Sequence, residues 1–572
     1  MKSKLPLLAE QKQSGATAKP ADSICRPSAL SSAEILKWSL LFGFLTILLR
    51  IPFLFRYDIY FQSGIAPGYL MPKRMLLGEF PIYTWGTDYS GIGPPEFLAA
   101  ALMALFGSSI PLACFVSLLM WGMGVGLLVA FTGTHFGRKA AVGAGGALMV
   151  GVPFFLLYNT QPFLTAYSTL PLYIGGFLWL TIFILRRGPE TWLCPLTGLI
   201  MGWFWYAHKH VVVVWLAAGI ALVTMPEGRA FLRSFFRSRM VWFSVVAFLI
   251  GYSPEILYKL NFISHENRTG DAKVLLNIAS PSLMLRNWYM LFRCSLTYVD
   301  ADPWSRSAGG VHYLNHLENW ESFPLSVTDT VGIIVAALLL PYGIRLLRES
   351  YREKNLPVFL FNMIAVVDIA IIIVAWRSEG SYYNIRRYLL PASLVLLVWF
   401  GVRLGEAWQA RQWGVGGVLV LWLGISSVHQ WQMLQGPDEL ADYRRTAQEI
   451  VAQGYRYGLT WYSYAHTLTA LTDEQVVFGI VDYCQQSPYQ TAALTQEVVA
   501  VVWPAVRPPP FEFAQKMLFG KVAFRQDSVQ VLPERVSLLG SGYQRIGEPH
   551  LVGELGWAPY RRLTVLTPSI GQ

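Results

Sequence analysis

Residues 35–60 read ILKWSLLFGFLTILLRIPFLFRYDIY. From Ile35 to Leu49 the only charge is Lys37, and then Arg50, Pro52, Arg56 and an aspartate, Asp58, follow in quick succession. A helix needs about 20 mostly apolar residues to cross the hydrocarbon core of a bilayer. This run supplies them and delivers a carboxylate just beyond, between Tyr57 and Tyr60. The residues before it are polar and carry Lys2, Lys4, Lys12, Lys19 and Arg26. They are too long and too polar for a cleaved signal peptide, so 1–34 reads as a cytoplasmic tail ahead of a signal-anchor helix.

The same pattern governs the rest of the chain. Of 572 residues, 54% are apolar and only 14% are charged, against roughly 25% charged in soluble domains. The mean hydropathy is +0.40. A soluble enzyme, a disordered protein and a coiled coil are excluded by these values. Apolar runs begin near Ile35, Ser109, Ala140, Ser168, Thr191, Val211, Met240, Thr330, Pro357, Tyr388 and Gly414. They predict an all-α polytopic membrane protein with about eleven spans. The net charge of +10 fits cationic cytoplasmic loops better than nucleic acid. The five cysteines show no metal-like spacing.

Lys and Arg gather in one set of short loops: Arg138 and Lys139, Arg186 and Arg187, Arg229 to Arg239, Arg345 to Lys354, Arg403 and Arg411. Cytoplasmic loops are enriched in these residues, which places the N-terminus inside and, with an odd span count, the C-terminus outside. Three large pieces then lie outside: loops at about 56–107 and 258–327, and residues 437–572. Loops this long generally carry function or structure of their own. The expected organisation is a 1–34 tail, a 35–436 transmembrane domain and a 437–572 extracytoplasmic domain.

That last part predicts a small α/β domain. A helix is expected over Leu440–Gln453 and strands at 457–461, 476–481, 498–503 and 529–532. Helices at 465–471 and 511–519 come between them. Such alternation suggests a parallel sheet with covering helices.

The first outside loop carries further markers: Lys73-Arg74-Met75-Leu76-Leu77-Gly78-Glu79-Phe80-Pro81, then Gly86-Thr87-Asp88-Tyr89-Ser90-Gly91, then Pro94-Pro95-Glu96. An acidic residue just past the first span, followed by a Leu76–Pro81 "leucine-x-glycine-x-x-proline" helix end, resembles the GT-C glycosyltransferases. These are multi-span enzymes that take sugars from polyprenyl-phosphate carriers. The resemblance is to the bacterial branch related to protein O-mannosyltransferases and the lipid A aminoarabinose transferase, glycosyltransferase family 39-like. Gly198–Lys209 and Arg387-Tyr388-Leu389-Leu390-Pro391 add to it. One departure is Ile59, where many protein O-mannosyltransferases carry a second acid.

Glycosyl transfer to a hydroxyl needs a base at the acceptor, and cations for a phosphate leaving group. Asp58 reads either as that base or as an interfacial carboxylate paired with Arg56, and the resemblance favours the base. Asp88 and Glu96 are further catalytic candidates. The alternatives are a self-bonded turn carboxylate for Asp88 and a helix cap for Glu96. Lys209, Arg387, Arg386, Arg74 and Lys73 are the candidates for binding the donor phosphate, their alternative being anchors to lipid headgroups. His208 and His210, two apart, share a face only on an extended chain. His312 and His316 have one-face helical spacing with Glu318 and Glu321 nearby, but no HExxH pattern occurs. Asp368 lies inside an apolar run and reads as a buried hydrogen-bonding acid or, alternatively, as part of a proton path.

The resulting expectation is an integral-membrane glycosyltransferase of GT-C type working by an inverting single displacement. It would move a sugar from a polyprenyl-phosphate carrier to an extracytoplasmic lipid, glycan or protein acceptor. Its setting would be the inner (plasma) membrane, with membrane lipid as neighbour and no nucleic acid. No cofactor is called for. A divalent metal is not indicated, Asp300 and Asp302 being the loop acids that would hold one. The alternatives are a transporter or flippase of a lipid-linked sugar, and a non-catalytic envelope scaffold.

Overall fold

The computed structural model describes residues 30–59, 61, 64–83, 85, 91–152, 155–162, 167–261, 279–295, 327–375, 388–481, 488–505, 532, 534–538 and 541–563. Helix α1 (Ser32–Phe55) opens on a capping box. Ser31 Oγ accepts from Glu34 N at 3.2 Å, and the Glu34 carboxylate accepts from Ser31 N at 3.1 Å. This satisfies two of the backbone donors that a helix start leaves open. A single 3₁₀ turn, Tyr57–Ile59, follows. Then come α2 (Pro67–Met75) and α3 (Pro94–Phe106). Pro67 begins α2, where a missing N–H costs nothing, and the helix continues through Pro72.

The bundle continues with α4 (Ile110–Val150), α5 (Phe155–Asn159), α6 (Leu170–Arg187), α7 (Leu193–Ala207), α8 (Val212–Thr224), α9 (Pro226–Arg237) and α10 (Met240–Asn261). It is completed by α11 (Pro281–Ser295), α12 (Val327–Arg352), α13 (Leu356–Ala375), α14 (Leu390–Gln409) and α15 (Trp413–Leu434). The chain is a mostly helical, multi-pass membrane protein with a sheet-containing C-terminal part.

Each expected apolar run is helical, but the count of eleven spans is not confirmed. Among the described residues seven helices are long and apolar enough to cross a membrane, or eight if α8 and α9, bent by 99°, form one span. The shortfall has three sources. The runs expected from Ser109 and Ala140 form one 41-residue helix, α4, broken only at Gly137, whose φ of 84° is left-handed. Helices α7 and α8 have only 15 and 13 residues. In α15, glycines, serines, His429 and Gln430 dilute an otherwise sufficient length.

The bundle is layered by exposure. Helices α1 and α10 present Leu40, Phe44, Leu48, Trp242, Phe243 and Ile250 outward, as a surface against lipid does. Helix α14 is its centre: residues 390–402 are buried without exception. It crosses α4 so closely that a Cβ at Gly401 would sit 2.0 Å from Ala144 N, and one at Gly143 2.3 Å from Gly401 O. Small residues let helix backbones approach in this way, and in lipid such packing is a main source of helix association.

The C-terminal part contains α16 (Ala441–Ala452), α17 (Tyr462–Leu471) and α18 (Pro488–Leu494). Its strands are β1 (Tyr457–Thr460), β2 (Val477–Ile480), β3 (Val498–Pro504), β4 (Arg535–Leu538), β5 (Ser541–Arg545), β6 (His550–Val552) and β7 (Leu555–Arg562). The order is β2-β1-β3-β7-β5-β4, with β6 on β7. The strands β1, β2 and β3 are parallel, as the alternation with helices predicts. The wholly parallel sheet is corrected: β7 runs antiparallel to β3 and β5, and β4 to β5. Connection length sets the same antiparallel sense for β6 on β7. Val552 pairs with Leu555 across Gly553-Glu554, with Gly553 at φ 58°, and so short a link can join only antiparallel strands. Phe478, Ile480, residues 499–502, Trp557 and Tyr560 fill the sheet's core. The 511–519 helix and the 529–531 part of the last expected strand lie outside the described residues, as does most of the tail 1–34.

Overpacking at the α4–α14 crossing is expected to cost about 1–3 kcal/mol. Gly401→Val should therefore lower the melting temperature of the purified protein. Gly424→Val, where no atom lies within 4 Å of the added carbon, should leave it unchanged.

Candidate active site

Asp58 lies in the 3₁₀ turn that ends α1 and is buried. Its carboxylate is gripped in a two-pronged way: Arg56 Nε lies 3.0 Å from Oδ1 and Nη2 3.0 Å from Oδ2. Arg56 also donates to Leu434 O, at the end of α15, and to Pro437 O at 2.9 Å in the linker that follows. The linker returns the contact, with Glu439 N donating to Asp58 Oδ2 at 3.4 Å. From the other side Gln161 Nε2 donates to Tyr57 O at 3.1 Å. The pairing with Arg56 that the sequence leaves as an alternative is therefore present, and it fixes the carboxylate's orientation.

Glu439 is a second carboxyl group at this place. Burial, and then the charge of Asp58, push it up to about 8. Near neutral pH the protein thus holds a proton on Glu439 beside the arginine-bound Asp58. Sequence reasoning missed Glu439; the only signal was its place just ahead of the helix expected over Leu440–Gln453.

The two cations of α2 are engaged by the C-terminal part. Lys73 Nζ lies 2.5 Å from Asp473 Oδ1 and 3.0 Å from Glu474 Oε2, and Arg74 Nε lies 2.7 Å from Glu474 Oε1. Arg74 also pairs with Glu79 at 3.1 Å. Tyr69 Oη donates to Asp473 at 2.6 Å and Tyr489 Oη to Glu474 at 2.6 Å. Burial first, then these carboxylates, push both hydroxyls well above the usual phenol range, so they remain donors. Asp473 and Glu474 stand at φ 51° and 67°, a left-handed conformation that costs non-glycine residues free energy. The hook they form meets helix α2 next to the Trp85–Tyr489 ring contact at 5.1 Å.

The other candidates are distributed as follows. Glu96 is buried at the start of α3, and its Oε2 accepts from Gly93 N at 2.8 Å. That contact is the helix cap weighed as the alternative for Glu96: a carboxylate three residues into a helix is drawn to its open N–H groups. The same segment is docked on the end of α7, with Gly91 N on Ala207 O at 3.0 Å and Ile92 N on Tyr206 Oη at 3.0 Å. Lys209 follows α7. It pairs with Glu255 of α10, donates to Trp205 O at 3.1 Å and lies over the Trp205 and Tyr252 rings. Of the cations named from sequence, the three among the described residues are each met by a carboxylate of the chain: Lys73 and Arg74 by the hook, and Lys209 by Glu255. Asp88, Arg386 and Arg387 lie outside the described residues, as do Asp300, Asp302, His312 and His316.

Asp368 is buried in α13, where its Oδ2 accepts from Ala392 N at 2.9 Å and Oδ1 lies 3.6 Å from His210 Nε2. It serves the start of α14, in line with the hydrogen-bonding reading. His208 Nδ1 accepts from His210 N at 3.3 Å. Among the described residues no three His, Cys, Asp or Glu side chains group to hold a metal.

No family model matches the chain, and no curated protein matches it. Solved structures do. The ArnT of Cupriavidus metallidurans in the apo state is 14% identical, with 85% of this chain and 95% of that one covered and a TM-score of 0.47. The same ArnT bound to undecaprenyl phosphate is 12% identical over 93% and 98%, at 0.46. The Archaeoglobus fulgidus oligosaccharyltransferase in complex with Zn and sulfate is 13% identical over 82% and 67%, at 0.44.

Two changes test the electrostatics. A carboxyl raised in the folded state stabilises the fold below its unfolded value, and that contribution is lost as pH climbs through the folded value. For Glu439 the window runs from roughly 4.5 to about 8. Across it the melting temperature of the parent should fall, and Glu439→Gln should flatten that fall. In the hook, Asp473→Asn with Glu474→Gln should loosen the C-terminal part from α2. Limited proteolysis should then cut more quickly near residues 434–440, with the bundle intact.

Proposed function

We propose that the protein is an integral-membrane glycosyltransferase of GT-C type. It takes a sugar from a polyprenyl-phosphate carrier and gives it to an extracytoplasmic lipid, glycan or protein. The observation that carries this reading is the Asp58 carboxylate: buried, gripped in a two-pronged way by Arg56, and fixed at the end of the first span. The resemblance marks that position as the base.

In the reaction, an acceptor hydroxyl attacks the anomeric carbon. Its proton passes to Asp58, and the bond from that carbon to the carrier phosphate breaks. The configuration inverts because attack and departure use opposite faces of the sugar. Arg56 keeps Asp58 aimed before the hydroxyl arrives. The leaving phosphate takes its electron pair with it and needs cations rather than an acid. Lys209 and Arg387 are the groups assigned to it, and Lys73 and Arg74 can join only once the acidic hook releases them. Residues 437–572 act as a cover on the same end of the bundle, since their hook and linker touch α2 and Asp58. We place that end outside the inner membrane, with the N-terminal tail in the cytoplasm. Asp368 gives little support to a carrier or flippase role, because the backbone of α14 and His210 already engage it.

Asp58→Asn is the test. A positioned base contributes roughly 10²–10⁴ in rate, so transfer from a polyprenyl-phosphate sugar should drop by at least about a hundredfold. Binding of the bare polyprenyl phosphate should change little, while the melting temperature should fall because Arg56 loses its charged partner. Transfer at the parent rate by the Asn variant would remove Asp58 from the mechanism.

A further inference from the structure

A second polar cleft lies where α8 turns into α9. Arg229 closes the end of α8, donating to Val223 O at 3.1 Å and Thr224 O at 2.7 Å. Arg233 and Arg237 follow at one-turn spacing. Like charges so placed on a helix repel by roughly 0.2–0.5 kcal/mol, and among the described residues neither has an ion pair to offset this. On the opposite face Phe231 and Phe235 stack at 5.7 Å and pack beside Leu193 and Leu196. That contact holds α9 across the end of the bundle, at 99° to α8.

The two free arginines line a cleft of about 390 Å³ together with Ala230, Ser234, Ser238 and Glu190 of the α6–α7 link. Glu190 likewise has no partner among the described residues. The cleft therefore offers two forked cations and two hydroxyls at one edge and one carboxylate at the other. Exposed Phe236, Trp242 and Phe243 follow directly in the chain, on the surface where α10 meets lipid.

We propose that this cleft binds the headgroup of a phosphatidylethanolamine molecule. The phosphodiester lies on Arg233 and Arg237, whose planar guanidinium forks match its two free oxygens. The hydroxyls of Ser234 and Ser238 complete that edge, and the ammonium lies on Glu190. The acyl chains run down the apolar face of α10. A purely anionic headgroup leaves Glu190 unmatched and repelled, which gives the zwitterion its preference. This site is independent of Asp58 and of the proposed transfer reaction.

Native mass spectrometry of the full chain tests it, with dioleoyl phosphatidylethanolamine, dioleoyl phosphatidylglycerol and free phosphoethanolamine as probes. Phosphatidylethanolamine adducts should survive activation better than phosphatidylglycerol adducts, and free phosphoethanolamine should bind least. Arg233→Gln with Arg237→Gln should cut the phosphatidylethanolamine adduct by about tenfold, the equivalent of about 1.4 kcal/mol. Glu190→Gln should keep lipid binding but erase the preference. Equal retention of both lipids by the parent overturns the proposal, as does an unchanged adduct in the double variant. Free phosphoethanolamine binding as well as the lipid overturns the lipid source. Should the double variant misfold, Arg233→Lys with Arg237→Lys keeps the charge and removes the fork, and an unchanged adduct there is equally fatal.

Discussion

Arg56 joins three segments that are far apart in sequence. It grips Asp58 two residues on and binds the carbonyls of Leu434 and Pro437, where α15 gives way to the C-terminal part. A half-buried guanidinium at the edge of lipid is costly unless its donors are matched, and here a carboxylate and two backbone carbonyls match them. The exit of the first helix, the exit of the last one and the candidate base are therefore fixed by a single side chain. A second tie lies deeper: Arg50 of α1 donates to Met149 O and, at 3.0 Å, to Val150 O. Gln430 and Ser426 of α15 bind Val150 O and Gly151 O. The end of α4 thus has its open carbonyls satisfied by the two helices whose ends Arg56 connects.

This arrangement makes the carboxyl pair of Asp58 and Glu439 a property of the fold rather than of one loop. Asp58 comes from the N-terminal helix and Glu439 from the linker nearly 400 residues later. The two ends of the chain are coupled there, since burial and the Asp58 charge hold the Glu439 proton. Any movement of the linker changes both the cover on Asp58 and the charge beside it. A proposed base whose surroundings depend on a distant linker can be silent in one position and exposed in another.

Much of the bundle was readable because lipid imposes a simple rule: apolar runs near 20 residues become helices. Every such run became one, although α7 and α8 ended early and α4 swallowed a boundary that sequence places near Ala140. The strands β1 to β3 were readable from short apolar runs set between helical stretches. The antiparallel half was not, because its strands are short and its one clear signal, Gly553-Glu554, was passed over. At the site, Asp58 was legible from its place after a span, and its pairing with Arg56 from adjacency. Glu439, Glu255 and the Asp473–Glu474 hook were not, since each is defined by a partner distant in the chain. Glu96 shows the converse: a carboxylate at Pro-Pro-Glu carries a local capping signal, and the cap it predicts is present.

The hook also gives the two parts of the molecule unequal kinds of adhesion. Asp473 is largely exposed where it meets Lys73, so dissolved salt weakens that contact, the screening length falling from about 10 Å at 0.1 M to about 3 Å at 1 M. The Trp85–Tyr489 ring contact beside it is indifferent to counterions. Rising ionic strength therefore weakens the exposed Lys73 contact first, while the ring contact keeps its hold on the seam.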